Sequence, residues 1–211
     1  MGLSVSTQVL ADMLEREPEG ADWIRAQLAI INDLLAARGL PRHEEPERRG
    51  KAVARTDVLS SRYSSLHCLR RAFVRARAGQ PVEPVKPGED PARDPVVKRF
   101  AAQLNAHLLS HSDDEGFYVP VDFDRVILDV DGRGLAGHLL GSTQRLLAEL
   151  IEVAPAIGIS LDGGELSDAE VAKLSAEDPE HAPLFTERMV WLVLFENARV
   201  SLANGTMIVF G

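Results

Sequence analysis

Two histidines, seven carboxylates, an aromatic strand and a Gly turn fall within residues 107–131, HLLSHSDDEGFYVPVDFDRVILDVD. Polar groups at that density beside an apolar strand mark where a site would sit. His107 and His111 are four apart, which on a helix places both imidazoles on one face, and HxxxH is the minimal metal-binding pair. Asp113 follows as a third ligand, with Asp114 or His67 as a further one. Such a set would hold a divalent metal, and a remaining carboxylate would activate water for hydrolysis. Two features oppose this. The zinc-protease pattern needs Glu directly after the first His, and Leu108 stands there. Both histidines also lie on the apolar stripe of Phe100 and Leu104, where a histidine more often packs its ring and bonds a neighbouring backbone or carboxylate group.

The acids Asp113, Asp114, Glu115, Asp122, Asp124, Asp129 and Asp131 form the second constellation. Oxygen clusters suit Mg²⁺ or Ca²⁺. The calcium-loop template fails, because with Gly132 in its Gly position Ile127 occupies the first ligand position. Asp162-Gly163-Gly164-Glu165 lacks alternating ligands. Asp122 and Asp124 share a strand face and could divide acid and base roles, but nothing marks them off from two solvated aspartates. Several of these acids suit turns and caps, since Asp bonds its own following backbone N–H. The functional alternative is a docking surface for a basic partner, formed by Asp113, Asp114, Glu115, Tyr118, Asp122 and Asp124.

Other motifs are incomplete. His67-Cys68 begins the phosphatase pattern H-C-x₅-R, but Val74 stands where the Arg belongs. A half-buried structural role suits Cys68. GxxxxGK[ST], GxGxxG and GxSxG are absent. Gly137, Gly141 and Ser142 could offer backbone N–H groups to an anion, or serve as a bend and a cap. The arginines of helix 62–77 read as a solvated face.

These residues sit in a chain of 211, with 45% hydrophobic and 26% charged residues, ordinary values for one folded domain. The net charge is −9. Residues 38–77 hold eleven basic against four acidic residues, residues 1–37 two against six, and residues 78–211 ten against twenty-two. Overall acidity argues against nucleic-acid binding, which needs a positive field. The basic middle reads as complementary to the acidic body. One cysteine excludes an intramolecular disulfide. No signal-peptide pattern or membrane-length apolar run is present, so a cytoplasmic location is expected. Arg outnumbers Lys nineteen to four, a bias associated with GC-rich bacterial genomes.

Helices are predicted over 6–17, 21–38, 60–78, about 95–110, 142–153, 167–176 and 183–203, from apolar spacing and capping signals. The last is apolar almost all round, which implies burial on most sides. Strands are predicted over 117–123 and 125–130. Pro120 makes the first an edge strand or a bulge. Asn204-Gly205 ends the last helix and releases a strand, 207–210, able to pair with 117–123.

The expected fold is mainly α (α+β), with six to seven helices around a buried C-terminal helix and a small two- or three-stranded sheet. It forms a single globular domain over 1–211, with a polar loop or arm at 41–58 and a Pro-rich surface crossing at 79–95. The expected role is a cytosolic acidic interaction protein that binds a basic protein partner stoichiometrically, in the manner of an immunity protein or antitoxin. The alternatives are a metal-dependent hydrolase using His107, His111 and the aspartates, and a homodimer formed through helix 183–203 or the edge strand. No cofactor is expected outside the divalent metal of the hydrolase reading, and no membrane or nucleic-acid partner.

Overall fold

The structure, a computed structural model, describes residues 3–56, 60–61, 63–101, 103 and 105–211. Leu104, Arg62 and the 57–58 end of the polar loop, each part of an expectation above, lie outside these residues. Strands β1 (Leu3–Thr7), β2 (Ser60–Ser61), β3 (Gly116–Val119), β4 (Ile127–Leu128), β5 (Leu139–Ser142) and β6 (Ile208–Phe210) run in the order β2-β1-β6-β3-β5-β4. The sheet is mixed: β3 pairs with β5 in parallel and with β6 antiparallel.

Helices α1 (Val9–Arg16) and α2 (Pro18–Ala36) cover one face. On the other lie α3 (Tyr63–Arg77), α6 (Thr143–Val153) and α8 (Phe185–Asn204), with the shorter α4 (Pro95–Ala101), α5 (His107–Ser110) and α7 (Asp168–Ser175) around them. The strand period of two divides the core. Phe117, Val119 and Leu140 join the α1–α2 cluster with Leu10, Ile24 and Ile31. Tyr118, Ile208, Phe210 and Val5 join the opposite cluster with Leu69, Phe73, Leu150 and Trp191. Each such fully buried side chain contributes about 1.5–3 kcal/mol.

The α+β class, the buried α8 and the pairing of 207–210 with 117–123 are all observed. Gly205 closes α8 in the left-handed conformation, φ 68°, and releases β6. Ser167 caps α7 by accepting the Glu170 N–H.

Four expectations are corrected. Among the described residues the sheet has six strands, because β1 and the short, Gly-containing β5 carried no clear alternating signal and β2 falls where the helix over 60–78 was expected to start. Ser6 and Thr7 belong to β1, and Gln8, at φ 60°, turns the chain into α1. β3 is central, since it ends at Val119, one residue before Pro120, and so keeps ladders on both sides. The helix expected over 95–110 is broken: Ala106 is extended (φ −128°, ψ 118°) and the chain restarts as the four-residue α5, so the described residues hold eight α-helices where six to seven were expected.

The stretch 40–56 carries no helix or strand but is tied down by polar contacts. Asn32 clasps the backbone of His43 on both sides, and the buried His43 Nε2 lies 2.6 Å from Glu45 Oε2, which also accepts the Met207 N–H. Farther along, the Asn204 amide does the same for Ala52. A Cβ on Gly50 would lie 2.2 Å from Asn204 Oδ1, so only glycine allows this approach.

Candidate interaction site

The helix restart at α5 leaves orphan N–H groups, as every helix start does. Glu149 of α6 supplies the acceptors, taking the His107 N–H (2.9 Å) and the Leu108 N–H (2.7 Å). Burial pushes its carboxyl up to about 7, against the opposing pull of those N–H groups. The His107 ring accepts the Ser142 N–H at Nδ1 (2.9 Å), so its proton resides on Nε2, a buried atom with no hydrogen-bond partner among the described residues. The Nδ1 and Nε2 atoms of His111 each lie 3.1 Å from a carbonyl oxygen, of Ser112 and Phe117 respectively, and the ring stacks on Tyr118 at 4.2 Å. Burial lowers both imidazoles to about 4, so both are neutral at pH 7.

Arg70 of α3 fastens the turn that follows. Its guanidinium is buried and donates to the carbonyls of Leu108 (2.8 Å) and His111 (2.7 Å) and to the Asp113 carboxylate. His67 meets the same carboxylate at 3.0 Å. Burial alone would raise the Asp113 carboxyl, but His67 and Arg70 outweigh it and hold it at about 2. Arg70 and Arg71 are 4% and 5% exposed, which corrects the solvated-face reading of this helix. A buried guanidinium is acceptable because its donors are met by carbonyls and carboxylates.

His107, His111 and Asp113 therefore neighbour one another, but each is committed to a structural hydrogen bond or ion pair. Among the described residues no group of three or more His, Cys, Asp or Glu side chains is placed to hold a metal ion. Ser142 caps α6 and Gly141 lies within β5, so these two serve as cap and strand.

The carboxylates of 113–131 are likewise largely engaged. Arg145 reaches both Asp122 (2.6 Å) and Asp124 (2.7 Å). Asp129 accepts the backbone N–H groups of Arg133, Gly134 and Leu135, and so organises a loop. Asp114 accepts the Ser112 hydroxyl, and Glu115 is exposed without an ion pair. Tyr118 is corrected as a surface residue. It is 1% exposed and donates its hydroxyl to the His107 carbonyl at 2.9 Å, because both faces of β3 are covered. Of the six residues expected to form a docking surface, only Asp114 and Glu115 are open to solvent and have no ion pair among the described residues.

Much of the basic middle of the chain is matched internally. Arg71 and Arg75 share the buried Asp94, and Arg77 pairs with Glu152. Arg55 and Arg199 close on Glu196, whose side chain is fully buried. Burial would raise the Glu196 carboxyl, but the two guanidinia hold it at about 2.

The acidic excess that remains faces outward on α1 and α2. Glu15, Glu17 and Glu19 are exposed and have no ion pair among the described residues. On α2 the positions Glu19, Asp22, Ala26, Ala29 and Asp33 follow 3-4-3-4 spacing and are all exposed, so they form one outer stripe. The sequence signal for this face was the six-to-two excess of acids in residues 1–37.

A family model described as "Putative DNA-mimic protein" matches residues 1–210. The chain belongs to this family. Comparison with curated proteins and with solved structures matches none. Charge is partitioned in this chain: Arg55, Arg71, Arg75 and Arg199 turn onto the buried carboxylates of Glu196 and Asp94, while Glu15, Glu17 and Glu19 stay outside. Among the described residues no helix is long and apolar enough to cross a membrane.

Proposed function

We propose that the protein works by stoichiometric binding to a DNA-binding protein, presenting exposed carboxylates where that partner receives phosphates. The observation that carries the reading is the match of nearly the whole chain to the DNA-mimic family. The net charge of −9 supports it, as do the unpaired glutamates on α1 and α2. A DNA-binding surface is a field of Lys and Arg arranged for a polyanion. An acidic face meets it with the same long-range attraction as DNA, which speeds encounter and excludes partners of like charge. The partner is thus basic and cytoplasmic, and the protein itself repels nucleic acid. Relative to the immunity or antitoxin role expected from the sequence, the stoichiometric mode is kept and the partner becomes a DNA-binding protein.

The test uses immobilised protein and a nuclease-treated cell lysate. Retained proteins should be DNA-binding proteins that a short duplex DNA elutes, and the variant Glu15→Lys/Glu17→Lys/Glu19→Lys should retain less of them. Retention that is indifferent to added duplex would refute mimicry.

A further inference from the structure

A second kind of site lies away from the acidic face. Arg38, just past α2, and Arg125, in the loop between β3 and β4, line one surface hollow of about 310 Å³ together with Leu40, Phe123, Asp124 and Ile127. Small-ligand pockets start at about this size. Most arginines of this chain face carboxylates; Arg38 and Arg125 have no ion pair among the described residues. The one carboxylate in the hollow, Asp124, is already held by Arg145 at 2.7 Å. Arg145 is shared with Asp122, so the three arginines and two aspartates around the hollow leave one net positive charge, a bias toward an anion.

We propose that this hollow binds a small organic oxyanion, a phosphate monoester or a carboxylate carried on an apolar or planar body. Guanidinium forks match the paired oxygens of either group and are less tightly hydrated than an ammonium. Leu40, Phe123 and Ile127 give the cavity an apolar wall, which favours an anion with an apolar body over a fully hydrated inorganic one. Leu40, half-buried, offers most of that apolar surface, while Phe123 and Ile127, 8% and 2% exposed, are packed in the core and fix the floor beneath it. Arg38 and Arg125 are exposed, and neither side chain has a hydrogen bond or ion pair among the described residues, so replacing them should leave the fold intact.

The experiment follows backbone amide shifts of residues 38–40 and 123–127 in the full chain during titration with phenyl phosphate, benzoate and inorganic phosphate. Saturable shifts are expected with phenyl phosphate or benzoate below ~10 mM, and the ligand that binds tighter identifies the source. Inorganic phosphate should bind several-fold more weakly. In Arg38→Ala/Arg125→Ala the affinity should fall by about tenfold or more, with an unchanged melting temperature. Absence of saturation by both organic anions, equal binding by the double variant, or inorganic phosphate binding as tightly as phenyl phosphate would each overturn the proposal. Retention of DNA-binding proteins by the double variant stays as in the parent chain, so this result and the test of mimicry fail or succeed separately.

Discussion

Tyr118 lies directly over the bare backbone of Gly141, its register partner on the parallel strand β5: a Cβ on Gly141 would sit 2.2 Å from the Tyr118 ring. The ring in turn carries the stacked His111, and its hydroxyl reaches the His107 carbonyl. The pair joins the sheet to the α5 turn. Gly141→Ala should therefore destabilise the protein by about 2 kcal/mol or more, because the neighbour is a ring fixed in the core. Tyr118→Phe keeps the ring and leaves one buried carbonyl without its donor, a loss of about 1 kcal/mol. Urea midpoints at constant slope measure both, and a harmless Gly141→Ala would contradict the close approach.

Glu149 should give the protein a pH response of unusual sign. Its folded value of about 7 lies above the ordinary 4.5, so the contribution of this group is fully present below about 4.5 and is lost as pH rises through about 7. His107 and His111 act oppositely. Lowered from 6.5 to about 4, they contribute above 6.5 and lose that contribution as pH falls toward 4. Comparison with Glu149→Gln isolates the first effect. The stability of the parent relative to this variant should rise between about pH 8 and about pH 5, by no more than ~3 kcal/mol. A flat difference would show that the carboxyl is not perturbed.

Glu196 should anchor the stretch before residue 57 to α8. Its carboxylate accepts the Arg55 backbone N–H at 2.8 Å as well as both guanidinia. Glu196→Gln leaves two cations facing a neutral group and should cost about 3 kcal/mol or more. Because the folded value of about 2 lies below the ordinary 4.5, this contribution is present above 4.5 and lost as pH falls toward 2. Hydrogen exchange should show the amides of residues 52–55 losing protection first in the variant. Unchanged protection there would mean that other contacts hold the segment.

Charge reversal at Glu15, Glu17 and Glu19 should leave stability nearly unchanged, since the three have no ion pair and exposed charges contribute little to folding. Association with a captured partner should slow by about tenfold at low ionic strength, and the gap from the parent should narrow as salt shortens the Debye length. A salt-independent loss of binding would point to contact geometry in place of field.

Helical periodicity located α2, α3, α6, α7 and α8 because each buries apolar residues in one of the two core clusters, and Asn204-Gly205 marked the release of β6. Two kinds of feature stayed illegible. Strands of four residues such as LLGS in β5 carry too few side chains to display a period. Long-range partners leave no local trace: nothing near Arg70 in sequence announces Asp113, and nothing near Arg55 announces Glu196. The density of ionisable groups at 107–131 was real, but density reported structural demand, since a helix restart and two loops each need acceptors. The outward face on α1 and α2 was readable as a charge excess without any motif to single it out.

The placement of β6 between β1 and β3 has a consequence for biogenesis. During vectorial synthesis the ribosome delivers β1 and β3 long before residues 208–210 emerge. Until then their facing edges lack ladder partners, and the two apolar layers are not yet divided. Closure of the sheet waits for that late segment, so nascent chains stalled short of it should present open strand edges to chaperones.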